Sequence, residues 1–159
     1  SKFNKKNHRG YRAWPIDNWK DLIKKTIAQT KLDIVITGGK NEKGFINQLD
    51  IQDERIHNLC GETNIPNLFE VMKNSECVIA NDSGSVHVAG VSCKKVISLH
   101  GPTPFAETGP YGNSTNEIIE ANLNMSCSPC YNTSRITSCP ENKCMIDLSP
   151  EKVLAYILK

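Results

Sequence analysis

Three short stretches concentrate the groups that bind anions and move protons: "TGGKNE" (37–42), "NDSGSVH" (81–87) and "HGPTP" (100–104). The middle one is the densest. It sets Asp82, Ser83, Gly84, Ser85 and His87 directly behind the apolar run "CVIA". If that run is a strand and a helix follows, the first backbone N–H groups of the helix lack internal partners and sit at the positive end of its dipole. Such a helix start takes anions. Gly84 presents no side chain to an approaching phosphate. His87 falls one turn further on, and its side chain leans back toward the helix start. Asp82 sits at the turn itself, where its carboxylate can fix the loop. Gly101 and Thr103 repeat the pairing of bare backbone with a hydroxyl. The chemistry implied is phosphate recognition.

Other chemistry competes for the same residues. Taken alone, the turn reads better as a helix capped by Asp82 or Ser83, with His87 a surface histidine; three such loops on one edge bring the phosphate reading level with it. Ser83 beside Asp82 and His87 invites a hydrolase reading, but G-x-S-x-G is absent, and local proximity of Ser, His and Asp is not the signature of a triad. Neither the Walker sequence nor the dinucleotide fingerprint is present.

The elements that must hold these loops read as an alternation. "WPIDNWKDLIKKTIAQTK" sets Trp19, Leu22, Ile23 and Ile27 on one helical face. "DIVITGG" (33–39) is a buried strand closed by two glycines, and "RIHNL" (55–59) a weaker one. "TNIPNLFEVMKNS" carries a Thr/Asn cap and an early Pro66, with Leu68, Val71 and Met72 facing inward. "CVIA" (77–80), "KVISLHG" (95–101) and "NEIIEA" (116–121) are further strands, and "SVHVAGV" is the helix between the first two. "SPEKVLAYILK" closes the chain with Ser149 as cap and Pro150 at the first helical position. Strands without period-2 alternation, separated by helices, predict one Rossmann-like, doubly wound parallel α/β sheet. Ligands bind such sheets outside the carboxyl ends of the strands. The three polar loops would then share one edge.

Bulk properties narrow the class. The chain has 159 residues, 38% hydrophobic and 23% charged. That is one soluble globular domain. A net charge of +2 is too small to argue for nucleic acid. Lys2, Lys5, Lys6, Arg9 and Arg12 crowd the start, so residues 1–10 read as a solvated basic arm and 11–159 as the domain. No apolar run approaches the roughly 20 residues of a membrane span, and no signal peptide is visible. The expectation is a cytoplasmic protein.

One segment, 122–148, breaks the alternation. It holds Cys127, Cys130, Cys139 and Cys144 as C-x2-C, eight residues, then C-x4-C. Four thiolates at this spacing suit a structural zinc ion. Disulfides, free thiols and an iron–sulfur cluster are the alternatives. Cys60, Cys77 and Cys93 lie in or beside apolar elements and read as plain core residues.

Taken together and in order, the motifs are specific. "NDSGSVHVAGVSCKKVISLHGPTPFAETGPYG" resembles the donor-binding domain of the glycosyltransferase family 9 enzymes, the lipopolysaccharide heptosyltransferases. These carry Asp-Ser/Thr-Gly-x-x-His followed by a Gly-Pro-Thr loop. "YRAWPIDNW" (11–19) is similar to the family's basic-x-Trp-Pro segment, "ITGGKNEKG" (36–44) to a strand end followed by an acidic residue, and "NLCGETNIPNLFEVMKNSECVIANDSG" (58–84) to a Gly-x-Thr-x-Leu helix and the next strand.

The resemblance implies the carboxyl-terminal half of a GT-B enzyme, binding a nucleotide sugar, usually ADP-heptose. The lipopolysaccharide-core acceptor and the catalytic base would belong to the other half. By the same resemblance Ser83, Gly84 and Ser85 offer donors to the diphosphate, and Asp82 orders the loop. His87 donates to the phosphate or the sugar side, and Arg12 neutralises the leaving diphosphate. Glu42 lies near the nucleoside and Thr63 near the base, while Gly101 and Thr103 complete the cradle. No cofactor is required for transfer, and the full-length enzyme would sit at the inner face of the inner membrane. The family's Pro and Phe are replaced here by Ser85 and His100. The competing reading is a non-enzymatic nucleotide-binding or zinc-carrying interaction module.

Overall fold

A computed structural model describes residues 3–4, 9–112, 115–120, 125–139 and 141–159. The expected alternation of strand and helix is present. A short antiparallel pair, β1 (Phe3–Asn4) and β2 (Arg9–Gly10), precedes α1 (Ile16–Gln29). The basic arm therefore carries some pairing; Lys2, Lys5 and Lys6 lie outside the described residues. β3 (Ile34–Ile36) leads through α2 (Lys43–Ile46) to β4 (Ile56–Asn58). α3 (Ile65–Lys73), β5 (Val78–Asn81), α4 (Gly84–Ser92) and β6 (Lys95–His100) follow. Then come α5 (Phe105–Thr108), β7 (Thr115–Glu120), α6 (Arg135–Ser138), α7 (Lys143–Ile146) and α8 (Pro150–Ile157). Ala121, the end of the predicted last strand, is outside the described residues.

Caps fall where the sequence puts them. The Asn64 side chain accepts from the Asn67 N–H at 2.9 Å, and Ser149 Oγ from the Lys152 N–H at 3.2 Å. Each satisfies one orphan donor of a helix start.

All sheet pairing among β3 to β7 is parallel, as predicted, but the sheet comes in two blocks. β3 pairs with β4, and β5, β6 and β7 form a separate ladder in that order. β6 is the most deeply buried strand, covered on both faces. On one face Trp14, Leu22, Met145, Leu148, Val153 and Leu154 pack with Ile97, Leu99 and Ile119. On the other, Met72, Ala89 and Cys93 pack against Val96. α1 also covers the first block, through Ile16 and Ile23 against Leu49, Ile34 and Ile36. No helix among the described residues is long and apolar enough to cross a membrane.

One backbone contact fixes α4, the helix behind the central turn. Gly112 has φ of +139°, and a Cβ there would overlap the carbonyl oxygen of Gly90. Both the left-handed backbone and the contact exclude a side chain. Gly112→Ala is expected to cost about 3 kcal/mol. A lowered urea midpoint with unchanged slope would report it.

Candidate functional site

The site begins at Trp14. Its ring is fully buried, its indole N–H donates to the Leu148 carbonyl at 2.9 Å, and its backbone N–H donates to Asn81 Oδ1 at 3.1 Å. Trp19 stacks edge-on against it at 4.9 Å. This anchor holds the segment before α1 against the end of β5, and so brings Arg12 to the turn after that strand. Arg12 Nη1 lies 3.2 Å from Asp82 Oδ2. The guanidinium also sits over the Tyr131 ring, 4.6 Å from its centroid.

Asp82 is held from three sides. Its N–H donates to the Leu99 carbonyl at 3.2 Å, its carboxylate accepts from Thr108 Oγ1 at 3.1 Å, and Arg12 supplies the countercharge. Its side chain is 3% exposed, whereas that of Arg12 is 24% exposed. Asp82 thus fixes the loop, and the open part of Arg12 keeps donors free for a second anion.

The helix start beside this pair is accessible. Ser83 is the N-cap residue of α4 in extended backbone, and its side chain makes no capping bond. A capped-helix reading through the Ser83 hydroxyl is therefore not what the turn does. Ser83, Gly84 and His87 are exposed, and a Cβ built on Gly84 would meet nothing within 4 Å. Ser83 and Ser85 line one cavity of about 520 Å³ together with Thr37, Gly38 and Glu42 from the loop after β3. Two of the three predicted loops thus face a common space.

The structure gives other predicted residues different duties. Glu42 Oε2 accepts the Gly39 N–H at 2.7 Å and so braces its own loop. Gly101 is buried, and a Cβ there would overlap the thioether sulfur of Met145, so its missing side chain serves packing. Thr103 is 2% exposed, and its hydroxyl has no hydrogen-bond partner among the described residues. Thr63 is half-buried in the turn before α3 and does not line the shared cavity. His100 is fully buried, with Nε2 2.6 Å from Ser98 Oγ and its ring edge-on to Phe105. It does not face solvent at the loop edge.

Trp14, Asn81, Thr108 and Tyr131 position the site and were not singled out for it from sequence. Asn81 adjoins the motif, so a signal existed. Thr108 and Tyr131 carry none, because only folding brings them to Asp82 and Arg12.

The four clustered cysteines correct an expectation. Among the described residues no group of three or more His, Cys, Asp or Glu could hold a metal ion. Cys127, Cys130, Cys139 and Cys144 instead line a cavity of about 240 Å³ as free thiols. Burial, with Cys130 and Cys139 nearby, pushes the Cys144 thiol up to about 11. Burial likewise raises that of Cys130. Burial thus favours the neutral thiol at Cys130 and Cys144.

Hydrogen bonds to the Gly-Pro-Thr loop strap the described part of the segment in place. The Cys130 and Tyr131 N–H groups donate to the Pro102 carbonyl at 3.0 and 2.9 Å, and Ser128 Oγ donates to that of Gly101 at 2.8 Å. Exposed Cys127 is expected to alkylate first with iodoacetamide, and Cys144 last, at a rate that climbs toward pH 11, as peptide mass spectrometry would read. A raised thiol also favours unfolding in alkali. Its stabilisation is complete below pH 9.0, its unperturbed value, and is lost as pH climbs through about 11.

Likeness to known proteins agrees with this geometry. The sequence pattern described as Glycosyltransferase family 9 (heptosyltransferase) matches residues 3–139. Lipooligosaccharide heptosyltransferase 2 of Campylobacter jejuni is 35% identical over 134 residues, covering 80% of this chain and 40% of that protein. Lipopolysaccharide heptosyltransferase 2 of Escherichia coli K12 is 23% identical over 150 residues, 90% of this chain and 41% of that one.

Two solved structures share the fold. ADP-heptose lps heptosyltransferase II of E. coli superposes with a TM-score of 0.73 at 20% identity, covering 93% of this chain and 41% of that one. E. coli heptosyltransferase WaaC, solved with ADP, gives 0.69 at 20% identity, over 94% of this chain and 40% of that one. The chain therefore spans about 40% of the length of these relatives. Over most of its own length it belongs to glycosyltransferase family 9, the heptosyltransferase family.

Proposed function

We propose that this chain is the donor-binding domain of a heptosyltransferase of lipopolysaccharide-core biosynthesis, and that it takes the diphosphate of a nucleotide sugar, ADP-heptose, at the start of α4. One observation carries the reading: the Arg12–Asp82 pair pins a cation beside an open helix start at Gly84. Glycosyl transfer builds charge on the departing diphosphate. Preorganised N–H groups and a guanidinium aimed there lower the barrier without needing a metal. Ser83, Gly84 and Ser85 supply the backbone donors, and His87 reaches back from one turn along.

The attacking hydroxyl still needs a base. Two carboxylates of the site are already engaged, Asp82 with Arg12 and Thr108, and Glu42 with the Gly39 N–H. This supports binding without turnover: the acceptor and the base belong to polypeptide outside these residues. The whole enzyme would then work at the cytoplasmic face of the inner membrane, where acceptor is made.

Calorimetric titration with ADP tests the reading. Micromolar to millimolar affinity is expected, and His87→Ala should weaken it by roughly tenfold, the worth of one exposed charge-assisted hydrogen bond. Absence of ADP binding would reject the site. Transfer of heptose to acceptor by this chain alone would reject the division of labour.

A further inference from the structure

The cysteine-rich segment abuts the support of Arg12. Cys127, Cys130, Cys139 and Cys144 line one cavity of about 240 Å³, and Tyr11 lines it with them. The four thiols differ in access. Cys127 is exposed and Cys139 half-buried, whereas Cys130 and Cys144 are 8% and 7% exposed. A reagent arriving from solvent therefore meets Cys127 first.

Cys130 is the partner nearest along the chain. It follows Cys127 by three residues in the wall of the same cavity, and the backbone bends between them at Pro129. Such a bend shortens the span toward the roughly 4.4–6.8 Å between Cα atoms that a disulfide needs. Burial first, then Cys139 and Cys127, raise the Cys130 thiol, so charge on either neighbour is felt there. Cys139 is the less accessible of the two, at the end of α6.

A bond at Cys130 would act on the anion site. The Cys130 and Tyr131 N–H groups share the Pro102 carbonyl, at 3.0 and 2.9 Å, and the Tyr131 ring carries the Arg12 guanidinium at 4.6 Å. From another wall Asn142 accepts from the Cys144 thiol at 3.6 Å and donates to the Ala13 carbonyl at 3.5 Å. Tyr11 and Ala13 flank Arg12 in the chain. The cavity thus borders the support of that cation on both sides.

We propose that this cavity is a thiol–disulfide exchange site for low-molecular-weight disulfides, in which Cys127 reacts first and Cys130 closes an internal bond that loosens Tyr131 from Arg12. The Cys127 sulfur gives up its proton and attacks one sulfur of the small disulfide. That S–S bond breaks, a mixed disulfide forms on Cys127, and the departing thiolate takes up the proton. The Cys130 sulfur, losing its proton in turn, attacks Cys127 Sγ, and the second small thiolate leaves as a thiol. Two cysteine thiols are oxidised to one disulfide, and the small disulfide is reduced to two thiols. Drawing Cys130 toward Cys127 pulls on the pair of N–H groups that share Pro102, and Tyr131 moves with them. The redox state of the segment then sets how firmly Arg12 is held. The inference stands whether or not the anion site binds a nucleotide.

Glutathione disulfide tests it on the 159-residue chain. After incubation, alkylation and peptide mass spectrometry should find a Cys127–Cys130 bond, with Cys139 and Cys144 alkylated. Phenylglyoxal, which labels guanidinium groups, should then modify Arg12 about threefold faster than in the reduced chain, the scale of one exposed cation–π contact. Arg55, tied to the Thr30 and Ile27 carbonyls, should keep its rate. Dithiothreitol should reverse the bond and the labelling. Cys127→Ser, at an exposed position, should abolish both, and Cys139→Ser should retain both. Glutathione left on Cys127 with no internal bond, a bond that omits Cys130, or Arg12 labelling unchanged by oxidation would overturn the proposal. So would stoichiometric zinc on the chain as isolated, since the thiols would then be ligands.

Discussion

Gly84→Val is expected to lower ADP affinity at least 100-fold while leaving stability within about 1 kcal/mol of the parent. The two halves of that expectation come from one geometric fact. A Cβ on Gly84 meets no protein atom within 4 Å, so the folded chain has room for a side chain. Helix propensity even favours valine slightly over glycine. What the branched side chain removes is the space in which a phosphate approaches the first N–H groups of α4. Gly84→Ala should fall between parent and valine. Calorimetry and urea denaturation on the same samples separate the effects. ADP affinity within threefold of the parent for the valine variant would remove the helix start from the site.

Asp82→Ala is expected to do the reverse, acting first on the fold. Its carboxylate is almost fully buried and meets both Arg12 and Thr108. Removing one member of a buried pair leaves the other's charge uncompensated, at 3–5 kcal/mol when both are enclosed. Arg12 is 24% exposed and can turn to water, so about 3 kcal/mol is the better expectation. For a chain this long that is roughly 6–12 °C in melting temperature. Arg12→Ala should cost at least as much, because it leaves the Asp82 carboxylate, 3% exposed, without its countercharge. The double variant should be less destabilised than the sum of the two, by roughly 1 kcal/mol or more if the pair is coupled. Strict additivity in that cycle would mean that Arg12 and Asp82 do not act together, and the site would lose its fixed cation.

Much of the fold was legible because it rests on periodicity. The faces of α1, α3 and α8, the caps Asn64 and Ser149, and the parallel strands all follow from local pattern, with ends shifted by one to three residues. The short strand at Ile56–Asn58 was legible only weakly, since its sequence carries a histidine and an asparagine. The clustered cysteines misled because spacing in a chain says how far apart thiols are along it, not whether their sulfurs converge. Here the four line a cavity, burial raises the thiols of Cys130 and Cys144, and carbonyls of the Gly-Pro-Thr loop hold the segment.

The same division runs through the site. Sequence alone determined that Asp82, Ser83, Gly84 and His87 lie on one strand-to-helix turn, because their contacts are local and helical geometry fixes them. The resemblance to the family, carried by an ordered set of motifs, added the expectation that Arg12 belongs with them. Only the tertiary structure decided that Arg12 reaches Asp82, that Thr108 and Tyr131 complete the pair, and that Gly101 packs against Met145. Those contacts join residues far apart in the chain. They exist because Trp14 is buried against Leu148 and Asn81, and no local pattern encodes where a buried ring will dock.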